Sequence, residues 1–138
     1  MRILVVEDDV DFRRFLEKSL EASGHVVESM GSAFGLVNRV AGVVDGKPAP
    51  RPDVVLLDHM LPGLPGGSAL EILAGDERTR EVPVVLMSAA PKEDLEPRAL
   101  VHPRCLFVEK SGRFAPLLHA IQKLTTSGPR GARGPVAA

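Results

Sequence analysis

The sequence predicts an α/β fold: a five-stranded parallel sheet with helices on both faces. Short runs of β-branched and aliphatic residues alternate with stretches of helical periodicity, which is the pattern of stacked strand–helix units. Several of those runs are apolar at both alternating positions, as strands covered on two sides must be. The 138 residues leave room for one compact domain and little else.

Five runs read as strands: Ile3–Val6, His25–Ser29, Val54–Leu57, Val84–Met87 and Leu106–Val108. Between the first two, Phe12, Phe15, Leu16 and Leu20 recur at helical spacing, and Gly24 supplies a left-handed stop. The next helix has Ser32 as its expected N-cap and Leu36, Val37, Val40, Ala41 and Val44 on one face, weakened by Gly35 and Gly42. It runs into a polar, proline-rich connector from Asp45 to Pro52 that cannot continue a helix. A third helix is signalled by Ser68 and Glu71, spaced as a capping box, and stops near Gly75. Pro91 to Val101 reads as a short or distorted helix, because Pro97 falls inside it. The last helix carries Leu117, Leu118, Ile121 and Leu124 on one stripe, with Pro116 in its first turn. From Ser127 the chain turns to Gly, Pro, Arg and Ala without apolar periodicity, so the domain is expected over residues 1–126 and a disordered tail over 127–138.

Composition narrows the function. Hydrophobic residues make up 44% and charged ones 25%, enough for a real core. The net charge of −1 offers no field for nucleic acid or anionic lipid, and the absence of Trp and Tyr leaves few platforms for stacking bases. The single Cys105 cannot form an intramolecular disulfide, and no apolar run approaches the roughly 18 residues of a membrane span. A soluble cytoplasmic domain without nucleic-acid or membrane partners is expected.

In an open parallel α/β sheet, ligands bind outside the carboxyl ends of the strands. Here those ends carry Glu7-Asp8-Asp9, Asp58, Ser88 and Lys110. If Glu7, Asp8 and Asp58 share a pocket, two carboxylates about 4 Å apart repel by roughly 4 kcal/mol at an effective dielectric near 20. Such a cluster must bind a cation or take up protons. A hard, oxygen-loving ion such as Mg2+ fits, because it leaves coordination positions open for a phosphoryl oxygen. Lys110 adds a point charge and Ser88 a hydroxyl donor for the remaining phosphate oxygens. These parts suit phosphoryl transfer to a carboxylate. Asp9 is explained by helix-dipole complementation alone, and His59 lacks a second histidine at ligand spacing.

Four fragments, Val5-Val6-Glu7-Asp8-Asp9, Leu57-Asp58-His59-Met60-Leu61-Pro62-Gly63, Met87-Ser88-Ala89 and Phe107-Val108-Glu109-Lys110, stand in this order at strand ends. Together they resemble the receiver (CheY-like) domain of bacterial two-component response regulators, over residues 1 to about 126. The resemblance implies a flavodoxin-like, doubly wound fold with Asp58 as phosphoacceptor, served by a sensor histidine kinase or phosphotransfer protein. It implies Mg2+ held by Glu7, Asp8, Asp58 and the backbone carbonyl of Met60. It also implies Ser88 as a switch hydroxyl, Phe107 as the aromatic that rotates with it, and Lys110 as partner of the phosphoryl oxygens. The protein would catalyse only its own phosphoryl transfer and dephosphorylation, and signal as a single-domain regulator through a downstream protein partner.

Three features depart from the family pattern: Ser111 where proline usually follows the lysine, Pro97 and Pro103 around the fourth helix, and a long connector over residues 45–51. They motivate an alternative, a receiver-fold adaptor that works without phosphorylation. A hydrolase of the aspartyl-phosphate type would usually carry a second Asp two residues after the first, where this chain has Met60. A flavin-binding domain would need a phosphate-cradling loop where Glu7-Asp8-Asp9 would repel phosphate. Met60 and Ala90, two positions after Asp58 and Ser88, offer nothing to orient water, so slow acyl-phosphate hydrolysis is expected.

Overall fold

The computed structural model describes residues 1–64, 68–89 and 102–126. The expected helix over 91–101 and the expected tail over 127–138 lie outside the described residues. In chain order the elements are β1 (Arg2–Val6), α1 (Val10–Ala22), β2 (Val26–Met30), α2 (Leu36–Val40), β3 (Val43–Val44), β4 (Lys47–Pro48), β5 (Val54–Asp58), α3 (Ser68–Gly75), β6 (Val84–Ser88), β7 (Cys105–Glu109) and α4 (Ala115–Thr126). The main sheet has the order β2-β1-β5-β6-β7, and all its pairs are parallel. Counting its strands alone, this is the 2-1-3-4-5 order of flavodoxin-like doubly wound folds, as expected.

Alternation along the strands divides the core in two. Ile3, Val5, Val54, Leu56, Val85 and Met87 face Leu16 and Leu20 of α1 and Leu117 and Ile121 of α4. Leu4, Val6, Val55, Leu57, Val84 and Leu86 face Leu36 and Val40 of α2 and Leu70 and Leu73 of α3. Strands β5 and β6 are buried at every position, which is why their sequences are unbroken apolar runs up to the Asp58 and Ser88 that end them. Each fully buried leucine or valine contributes about 1.5–3 kcal/mol, so the sheet's central strands hold the fold.

Helix α1 begins where Asp9 Oδ1 accepts the Phe12 N–H at 2.9 Å, an N-cap bond that accounts for this third acidic residue. Gly24, at φ +90°, ends the turn that follows the helix.

Two expectations need correction. The second strand is Val26–Met30 rather than His25–Ser29, because pairing starts at Arg2 opposite Val26 while the His25 N–H still closes the turn onto Leu20 O. The second helix is shorter than its apolar face suggested. It covers only Leu36–Val40, its N-cap is Gly35 at φ +75°, and Ser32 Oγ instead accepts from Phe34 N in the preceding loop. Val44 leaves the helix, since Gly42 at φ +86° stops it and Val43–Val44 pairs antiparallel with Lys47–Pro48. Asp45 and Gly46, at φ +51° and +73°, form the two-residue loop that a twisted hairpin requires. The long connector is therefore ordered.

Arg39 fixes this hairpin, with Nη2 2.7 Å from Glu28 Oε1 and Nη1 2.8 Å from Pro50 O. Arg51 reaches the carbonyls of Val40 and Arg78. Pro116 occupies the first turn of α4. Among the described residues no peptide bond is cis, that following Lys110 included.

Candidate functional site

Parallel pairing brings the carboxyl ends of β1, β5, β6 and β7 to one edge of the sheet. Glu7 follows β1, its N–H donating to Met30 O at 3.0 Å, and it is fully buried. Asp58 is the last residue of β5 and is 5% exposed, whereas Asp8 is solvent-exposed. One carboxylate oxygen from each of Glu7, Asp8 and Asp58 lies within 4.8 Å of the others. This set of potential metal ligands contains no histidine, and His59 sits half-buried with its backbone N–H on Met87 O.

Lys110, just after β7, enters the same pocket. Its Nζ lies 2.5 Å from Glu7 Oε1 and 3.3 Å from Asp58 Oδ2. Its backbone N–H donates to Ser88 O at 2.7 Å, so the lysine is tied to the neighbouring strand as well. Ser88 closes β6, 2% exposed, with Glu109 as its register partner. Met60 donates its N–H to Asp58 Oδ1 at 3.1 Å, while its side chain is 62% exposed at the rim. Phe107, opposite Leu86 on β7, is half-buried against the core shared with α2 and α3.

Burial and the adjacent Asp58 carboxylate push the Glu7 carboxyl up to about 7, against the downward pull of Lys110. Burial works against the Lys110 ammonium, but its hydrogen bond to Glu7 and the charges of Asp58 and Glu7 prevail and raise it. The pocket therefore concentrates negative charge that one lysine only partly offsets. Oxygen donors of three carboxylates, in reach of one another and partly open to solvent, fit a hard divalent cation.

The sequence reading missed two contributors. Arg13 Nη1 donates to Glu7 O at 2.8 Å and so fixes the backbone of a buried acid. The ring of Phe12 lies under Lys110, with Nζ 4.9 Å from its centroid. Their positions in the first turn after Asp8 were the available signal, since α1 starts at the pocket.

Residues 3–122 match the family described as the response regulator receiver domain. The chain belongs to that family. The receiver is 35% identical over 102 residues to the phosphate regulon transcriptional regulatory protein PhoB of Klebsiella pneumoniae. That match takes in 72% of this chain and 40% of PhoB, so the chain spans under half the length of this curated relative. Among solved structures it is similar to the phosphorylated cyanobacterial phytochrome response regulator RcpA, at 26% identity and a TM-score of 0.69, covering 91% of this chain and 89% of that one. The receiver domain of the sensor histidine kinase PA1611 of Pseudomonas aeruginosa PAO1, solved with magnesium coordinated in its active site cleft, shares the fold. It has a TM-score of 0.74 at 24% identity, over 91% of this chain and 98% of that one. Among the described residues, no helix of the receiver is long and apolar enough to cross a membrane.

Proposed function

We propose that this receiver domain, over residues 1–126, takes a phosphoryl group on Asp58 from a sensor histidine kinase or phosphotransfer protein, in a Mg2+-dependent reaction. The observation that carries the reading is the meeting of Glu7, Asp8 and Asp58 with Lys110 at one sheet edge. Asp58 is buried enough to be held still, and the Met60 N–H and Lys110 fix its two oxygens. One of those oxygens attacks phosphorus as the bond to the donor breaks, and the donor leaves with that electron pair. Lys110 moves from carboxylate to phosphoryl oxygen as charge shifts outward. Glu7, Asp8, Asp58 and the Met60 carbonyl would hold Mg2+, which when bound neutralises phosphoryl charge.

Ser88 and Phe107 are the proposed switch. Ser88 ends the strand beside Asp58, and Phe107 lies one strand further along, lining an open groove between β7 and α4 with Pro116, His119 and Lys123. Turning the Ser88 hydroxyl toward the phosphoryl group would bias Phe107 and that protein-binding surface between two states.

The test is incubation with Mg2+ and acetyl phosphate, followed by intact mass measurement of wild type and Asp58→Asn. A gain of one phosphoryl mass in wild type alone is expected. No gain in either protein would overturn the proposal and favour the phosphorylation-independent adaptor.

A further inference from the structure

We propose that Phe12 is a positioning residue, whose ring face holds the Lys110 ammonium at the acidic pocket. The rate consequence rests on the phosphoacceptor role of Asp58; the contact itself does not. Lys110 ends in four rotatable bonds and is followed by exposed Ser111, Gly112 at φ +76° and exposed Arg113. Glu7 and Asp58 pair with the Lys110 ammonium, and a hold independent of those carboxylates keeps it in place when a phosphoryl oxygen draws it off Asp58.

Phe12, in the first turn of α1, supplies that hold. Its ring centroid lies 4.9 Å from Lys110 Nζ, within the range of a cation–π contact. The Lys110 side chain is only 20% exposed, so water competes weakly for the ammonium. The ring is itself braced. Phe12 stacks on Phe15 at 6.0 Å between centroids, and Phe15 and Phe114 pack perpendicular to each other at 6.3 Å. Phe114 directly precedes α4, so the three rings link the N-terminal half of α1 to the residue before α4. At its base, the Phe12 N–H is the one captured by the Asp9 cap at 2.9 Å. The sequence thus runs from acidic cap to aromatic ring to ammonium.

A ring face also suits a lysine that must move. Its attraction is broad, whereas a hydrogen bond fixes one direction, so the ammonium can leave Asp58 for a phosphoryl oxygen without leaving Phe12. An aliphatic side chain at position 12 would fill the same space and lack that attraction.

The test replaces Phe12 site-specifically, in the full chain, by phenylalanines carrying one, two and three fluorines, which deplete the ring face with little change in shape. Two quantities are followed: NMR order of the Lys110 ammonium without phosphodonor, and the rate of phosphorylation by acetyl phosphate with Mg2+. Both are expected to fall stepwise, the rate about fivefold by the third fluorine, equivalent to about 1 kcal/mol at 1.36 kcal/mol per tenfold. Phe12→Leu should resemble the trifluoro protein, and Phe12→Tyr should retain wild-type behaviour. Flat order and rate across the fluorinated series would overturn the proposal, leaving Phe12 as packing. If wild type gains no phosphoryl mass, the phosphoacceptor reading fails, and the order of Lys110 alone decides the role of Phe12.

Discussion

Lys110 Nζ lies 2.5 Å from Glu7 Oε1, although 103 residues separate the two in sequence. The contact joins the first strand's end to the last strand's end, at a point where buried acid would otherwise face acid. Its consequence is a pH dependence.

Glu7 holds its proton more tightly in the folded chain, at about 7 against an ordinary 4.5. Between those values the native state binds more protons than the unfolded one, so stability present below pH 4.5 is lost as pH rises through 7. In urea unfolding with chelator, wild type should lose on the order of 2–3 kcal/mol from this group between pH 4.5 and 8. Glu7→Gln should lack that slope. Equal slopes in the two proteins would refute the assignment.

Asp8 is exposed and Glu7 buried, so the proposed magnesium site can be tested at Asp8 apart from folding. Magnesium at ten times its Kd should stabilise wild type by about 1.4 kcal/mol. Asp8→Asn should abolish that response in thermal melts while leaving metal-free stability within about 0.5 kcal/mol. A magnesium shift that survives in Asp8→Asn would place the ion elsewhere.

Met60 stands at the rim, 62% exposed, with a thioether that cannot orient an attacking water. Ala90, the other residue expected at the rim, lies outside the described residues. Met60→Asn should shorten the lifetime of the phosphorylated protein severalfold, followed by loss of phosphoryl mass after the donor is removed. An unchanged lifetime would mean that water is positioned by other groups.

The hairpin can be tested at its glycines. A Cβ on Gly42 would sit 3.0 Å from the Ala49 carbonyl and 2.7 Å from Arg51 Cγ, at a φ of +86°. Gly46, at +73°, has open space around it. Gly42→Ala should cost about 2–3 kcal/mol in urea unfolding and Gly46→Ala about 1 kcal/mol. Equal costs would show that the base of the hairpin is not tightly closed.

What the sequence revealed follows from how each feature is encoded. Val54 to Leu57 and Val84 to Met87 are buried on both sides, so their unbroken apolar runs had one reading. Val44 was ambiguous, because it continues the helical spacing of Leu36 and Val40 while also preceding Asp45-Gly46. The turn signal of Asp-Gly between Val44 and Lys47 was present and outweighs that spacing once Gly42 stops the helix. The acidic residues were legible because each stands at a strand end, a place defined by local pattern. Phe12 was not, because a phenylalanine on an amphipathic helix reads as core, and no periodicity links position 12 to position 110.

Strand β5 lends Val54 and Leu56 to one core and Val55 and Leu57 to the other before ending in Asp58. A load applied to that terminal carboxylate therefore bears on both helical layers through a single backbone. The middle of the sheet is thus a shared footing, and the carboxylate at its tip stands on the same backbone that anchors the helices above and below.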